Sequence, residues 1–135
     1  MVSTNSARIL KEGVYVYATL SNPRLMPGHV LIIPKRHVCK IGDLNEGERK
    51  ELIEFVVFLQ EKILSTVADG CDIVQNYRPF LKADNYHKVD HLHIHLRPRH
   101  IDDVFQTQIR PQYLKAFEDL KEDEFNMFKK RSEEH

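Results

Sequence analysis

The chain has little of several things that would have named its class at once. It has two cysteines in 135 residues, Cys39 and Cys71, and no CxxC spacing, which excludes a cysteine-rich zinc site. It has no excess of one charge, with 20 Lys+Arg against 20 Asp+Glu. That balance argues against long nucleic acid as the main partner, since a polyanion favours a basic surface. It has no long apolar run. The longest, Phe55-Val56-Val57-Phe58-Leu59, is far too short for a bilayer, so no membrane partner is expected. The polar start Met1-Val2-Ser3-Thr4-Asn5-Ser6 lacks a signal-peptide pattern, and the expectation is a cytoplasmic protein with reduced thiols. No low-complexity segment or true repeat is present. What remains is a single domain over 1–135 with 41% hydrophobic and 30% charged residues, enough to bury one core.

Histidine is what stands out. His91-Leu92-His93-Ile94-His95-Leu96 places three imidazoles at alternate positions, followed by Arg97-Pro98-Arg99. In extended chain successive side chains point to opposite faces, so the histidines share one face at a repeat of ~6.7 Å. Leu92, Ile94 and Leu96 take the other and can anchor the strand in a core. A row of ordinary surface histidines on an edge strand would carry no chemistry. A buried row is costly unless each ring nitrogen finds a partner. Two chemistries could use such a row. One is a zinc site completed by His87 or Asp90; the other is nucleophilic attack on phosphorus, with neighbouring imidazoliums stabilising phosphate oxygens.

The surrounding pattern reads as α+β. Residues 7–10 and 13–20 suggest two strands around a turn at Lys11-Glu12-Gly13, and His29 to Pro34 a third. Asn45 with Glu48 three residues later resembles a capping box, opening a helix that runs to about Ala68. Leu52, Phe55, Val56, Leu59, Ile63 and Val67 form its core stripe. Gly70 stops it; Cys71 to Tyr77 is the fourth strand, and the histidine segment the fifth. The core spans about 7–100. A C-terminal extension, 101–135, has one amphipathic segment around Tyr113, Leu114, Phe117 and Leu120 and a second, shorter one around Phe125, Met127 and Phe128, with a fraying tail from Lys129.

The histidine segment resembles the histidine triad (HIT) motif, H-φ-H-φ-H-φ-φ. Met26-Pro27-Gly28-His29-Val30-Leu31-Ile32-Ile33-Pro34-Lys35-Arg36-His37 resembles the second signature of the same family. The resemblance covers roughly residues 13–100. It implies a HIT-like fold, a five-stranded antiparallel sheet with one long helix, commonly paired as a homodimer. It also implies nucleotide hydrolysis or nucleotidyl transfer at an α-phosphate, on a dinucleoside polyphosphate, nucleoside phosphoramidate or similar conjugate, with no metal or cofactor. His93 would form the nucleotidyl-histidine, His95 would contact the phosphate and leaving-group oxygen, His91 would order the row, and His29 would face the phosphate.

Three places depart from the family pattern. The loop before the triad, glycine-rich in relatives, contains no glycine here, so Arg78, Asn85 or His87 would have to meet the phosphate. The ribose-binding position is Ser21, with Asn22 beside it. The last φ position is Arg97, whose parity puts it on the histidine face, where it would extend the anion site. A non-catalytic nucleotide-binding module and a zinc-dependent hydrolase are the alternative readings.

Overall fold

The computed structural model describes residues 8–81 and 91–133, with side chains through Lys129. Five strands form one antiparallel sheet: β1 (Ile9–Glu12), β2 (Val16–Leu20), β3 (Val30–Pro34), β4 (Gly70–Gln75) and β5 (Ile94–Arg99). Their order is β1-β2-β3-β5-β4, so β5 lies inside the sheet between β3 and the edge strand β4. The α+β five-stranded architecture expected from the sequence is the one observed.

Helix α1 (Glu46–Thr66) covers one face. Its start is a complete capping box, with the Glu48 N–H donating to Asn45 Oδ1 and the Asn45 N–H to Glu48 Oε1, each at 2.8 Å. These bonds satisfy donors that the first turn cannot use internally. Leu52, Phe55, Leu59 and Ile63 are buried against Val16, Ala18, Val30, Ile32, Leu92, Ile94 and Leu96. The register pairs Val30 with Leu96 and Ile32 with Ile94, both core pairs. Leu31 pairs with His95, so the alternation turns the histidine row to the face away from α1. Val67, expected in the core stripe, is 45% exposed because it caps the helix end rather than packing beneath it.

The first hairpin corrects the sequence reading. The turn lies at Gly13-Val14-Tyr15, and Lys11 and Glu12 belong to β1, paired with Ala18 and Tyr17. The cause is Glu51 on α1, whose carboxylate accepts the N–H groups of Val14, Tyr15 and Val16 at 3.1, 2.7 and 2.8 Å. Gly13 is required beside it: a Cβ there would lie 2.2 Å from Glu51 Oε1. The fourth strand also sits earlier than expected, ending at Gln75.

The chain divides into two compact units, the first reaching to His100 and the second starting at Ile101. In the second, a π-helical turn (Phe105–Ile109) runs into α2 (Arg110–Leu114), and α3 (Glu122–Glu133) follows. The second helical segment is therefore the longer, and its helical backbone reaches Glu133.

Candidate active site

Burial alternates strictly through the histidine segment. Leu92, Ile94 and Leu96 are 2%, 5% and 0% exposed, while His91, His93 and His95 keep partial access. Only His95 lies within β5 proper; His91 and His93 precede the ladder, which corrects the expectation of one strand through all three. Their alternation is kept by other bonds. The Leu92 N–H donates to Val38 O at 2.6 Å, and His91 Nε2 bonds Arg36 O at 3.1 Å.

Backbone partners fix the tautomers, because a carbonyl only accepts and an amide N–H only donates. His93 Nδ1 lies 3.0 Å from the carbonyl of His91, so Nδ1 carries the proton and Nε2 presents a lone pair. His29 Nδ1 accepts the Leu25 N–H at 3.2 Å. Its proton therefore sits on Nε2, which donates to His95 Nδ1 at 2.9 Å. His95 in turn holds its proton on Nε2. His93 thus presents a lone pair beside the N–H donor of His95, with ring centroids 4.8 Å apart.

The electrostatics agree with neutral rings at His29, His91 and His95. Burial, then the charges of His93, His29 and Arg97, lower His95 to about 3 from its ordinary 6.5. Burial, Arg97 and His93 lower His29, and burial is the first cause lowering His91. Imidazoliums, which the sequence reading allowed at these positions, are disfavoured in the free protein.

Arg97 lies on this face opposite Asp72 of β4. Its charge is felt by both His29 and His95, which places it beside the row as its parity requires. Ser21 and Asn22 border a cavity of about 440 Å³ that His29 also lines. Ser21 is partly committed, its hydroxyl donating to Pro23 O at 2.8 Å. Arg78 bonds Asn76, which does not tie it to the row. Asn85, His87 and Asp90 lie outside the described residues. Among the described residues, no group of three or more His, Cys, Asp or Glu is arranged to hold a metal ion. A second cavity of about 180 Å³ is lined mainly by apolar residues, Leu10, Leu20, Val30, Phe58, Ile63 and Val67 among them, with Lys62 and Thr66 its polar members, and none of the described histidines lines it.

Sequence reasoning missed the support behind His91. Arg36 grips the buried Glu48 with Nε and Nη2 at 3.0 and 2.8 Å and also donates to Asp43 O. The capping-box carboxylate thereby holds the segment whose carbonyl orients His91. His37 was missed too; its ring centroid lies 5.1 Å from that of His91. The Pro34-Lys35-Arg36-His37 run was the only signal for either.

Comparison with known proteins places this geometry in context. A family model described as HIT domain matches residues 3–102. A bis(5'-nucleosyl)-tetraphosphatase [asymmetrical] of Schizosaccharomyces pombe is 29% identical over 106 residues, 76% of this chain and 52% of the relative. This chain thus spans about half of that relative's length. An uncharacterised HIT-like protein of Methanocaldococcus jannaschii is 31% identical over 98 residues, 72% of each chain. The crystal structure of a HIT-family member from Bacillus subtilis superposes with a TM-score of 0.68, covering 95% of this chain and 86% of that one, at 19% identity.

Proposed function

The chain belongs to the HIT-domain family, and from that premise we propose that it is a hydrolase or transferase attacking the α-phosphate of a nucleotide conjugate through His93. The carrying observation is the Nδ1 bond from His93 to the His91 carbonyl, which leaves His93 Nε2 unprotonated beside the N–H donor of His95. Nε2 attacks phosphorus, the bond to the leaving group breaks, and a nucleotidyl-His93 forms. The ring gains positive charge, and the Nδ1–H bond to the His91 carbonyl stabilises it. His95 Nε2–H meets charge developing on a phosphate oxygen.

His95 acts by hydrogen bonding and not by proton transfer. Losing Nε2–H would leave it anionic, since its Nδ1 already accepts from His29. A polyphosphate leaves as its anion; an amine leaving group takes its proton from solvent. Water or another acceptor then attacks phosphorus, the P–N bond breaks, and the free ring returns. Arg97 adds fixed positive charge for phosphate oxygens. Ser21 and Asn22 border the cavity beside His29, where substrate groups next to the attacked phosphate would lie. A dinucleoside polyphosphate or a nucleoside phosphoramidate suits this scheme, in a cytoplasmic setting. Pairing into a homodimer belongs to the same proposal.

Incubation with an adenylylated substrate tests it. An acid-labile nucleotidyl adduct on the wild type, absent from His93→Ala, is the expected result. Binding without any adduct or turnover overturns catalysis in favour of a binding module. Activity lost to chelators and restored by zinc overturns the metal-free chemistry.

A further inference from the structure

The cavity beside His29 has a lining that attack on one phosphate does not use. Arg8, just before β1, and Arg24, in the loop after β2, contribute to its walls together with Ser21, Asn22 and His29, and among the described residues no carboxylate lines it. Its volume of about 440 Å³ falls in the ~300–1,000 Å³ range of small-molecule sites, more than one phosphate requires. His29 joins it to the row, since its Nε2 lies 2.9 Å from His95 Nδ1. The cavity therefore begins one imidazole away from where the attacked phosphate would sit. Two arginines among the residues lining one cavity supply the side chains best shaped to take phosphate oxygens in pairs.

We propose that this cavity binds a second phosphate of the substrate, distinct from the one attacked, with Arg24 and Arg8 as its specificity-determining residues. This rests on the reading of the row as a nucleotide site. The second phosphate belongs either to the ribose, at the 2′ or 3′ position, or to the chain beyond the α-phosphate.

Calorimetric titration of the intact protein separates the sources. The probes are adenosine and guanosine 5′-monophosphates, their 2′,5′- and 3′,5′-bisphosphates, and the α,β-methylene diphosphates, which resist attack. Binding of one two-phosphate probe at least tenfold tighter than the monophosphate is expected, with the gain lost in Arg24→Ala and reduced in Arg24→Lys, which keeps the charge but not the fork. A gain for a bisphosphate assigns the ribose; a gain for the methylene diphosphate assigns the chain. Affinities within threefold across the probes overturn the inference. So does a gain that survives both Arg24→Ala and Arg8→Ala. Failure of every nucleotide to bind, with no adduct on His93, overturns the underlying reading instead.

Discussion

His29 is the residue whose position carries the most consequence for its size. It is buried, its Nδ1 accepts from the Leu25 backbone, and its Nε2 sets the tautomer of His95. Replacing it with Asn removes the ring that reaches His95, freeing His95 to take either tautomer. The expected effect is a fall in kcat of about 10²-fold, the order seen when a transition-state hydrogen bond is lost, with a smaller change in KM. A kcat within twofold of wild type would refute the tautomer chain. Gly28, beside it, has φ +81, and a Cβ there would lie 3.2 Å from Pro98 Cγ and from Val67 Cγ1. Gly28→Ala is expected to lower stability by about 1–2 kcal/mol, the cost of left-handed backbone for a residue with a Cβ. Chemical denaturation measures it, and an unchanged midpoint counts against the strain. For Arg97→Ala, losing a charged hydrogen bond of about 1.5–3 kcal/mol corresponds to a loss of roughly 10–100-fold in kcat/KM. An unchanged value removes Arg97 from the anion site.

Elements show what local pattern could and could not fix. The capping box was legible because its two partners lie three residues apart, and the faces of β5 were legible because parity alone decides them. The first turn was not. Its placement depends on Glu51, more than 30 residues away in sequence, accepting three backbone N–H groups. No local propensity encodes that, and the strand-forming Val14 and Tyr15 pointed the other way. The candidate site divides along the same line. The face shared by the histidines and Arg97 could be read from spacing, whereas the tautomers come from backbone groups that only the fold brings close. Glu51→Gln, which puts an N–H donor where an acceptor is needed, is expected to cost about 1–3 kcal/mol per unsatisfied backbone donor. Thermal unfolding with and without the substitution tests it; a matching Tm would show the hairpin to be set by its own residues. Glu48→Gln bears on α1 and the site together, because it loosens Arg36, whose carbonyl orients His91.

Across the whole molecule the shifted groups make stability a function of pH with a definite sign. His29, His91 and His95 all sit below their ordinary 6.5, with burial the first cause for each. The unfolded chain therefore takes up protons on these rings that the folded one refuses, and stability falls as pH drops below 6.5, down to about 3 for His95. Two carboxylates deepen the acid loss below their ordinary 4.5. Glu48 is lowered chiefly by Arg36. Burial raises Glu51, but its three backbone N–H bonds outweigh that and lower it. On the alkaline side, burial raises Cys71 above 9.0 and Tyr17 above 10.0, so the folded chain keeps protons that the unfolded one releases, and stability falls again. A plateau between about pH 6.5 and 9 should therefore fall away on both flanks, more steeply in acid, where five groups act in the same direction. Melting temperatures from pH 4 to 10 give the profile, and His95→Asn should flatten the acid flank while leaving the alkaline one alone. Equal Tm values at pH 5 and pH 7.5 would contradict neutral rings at His29, His91 and His95, and with them the hydrogen-bond chain that sets the N–H donor of His95 beside the proposed nucleophile.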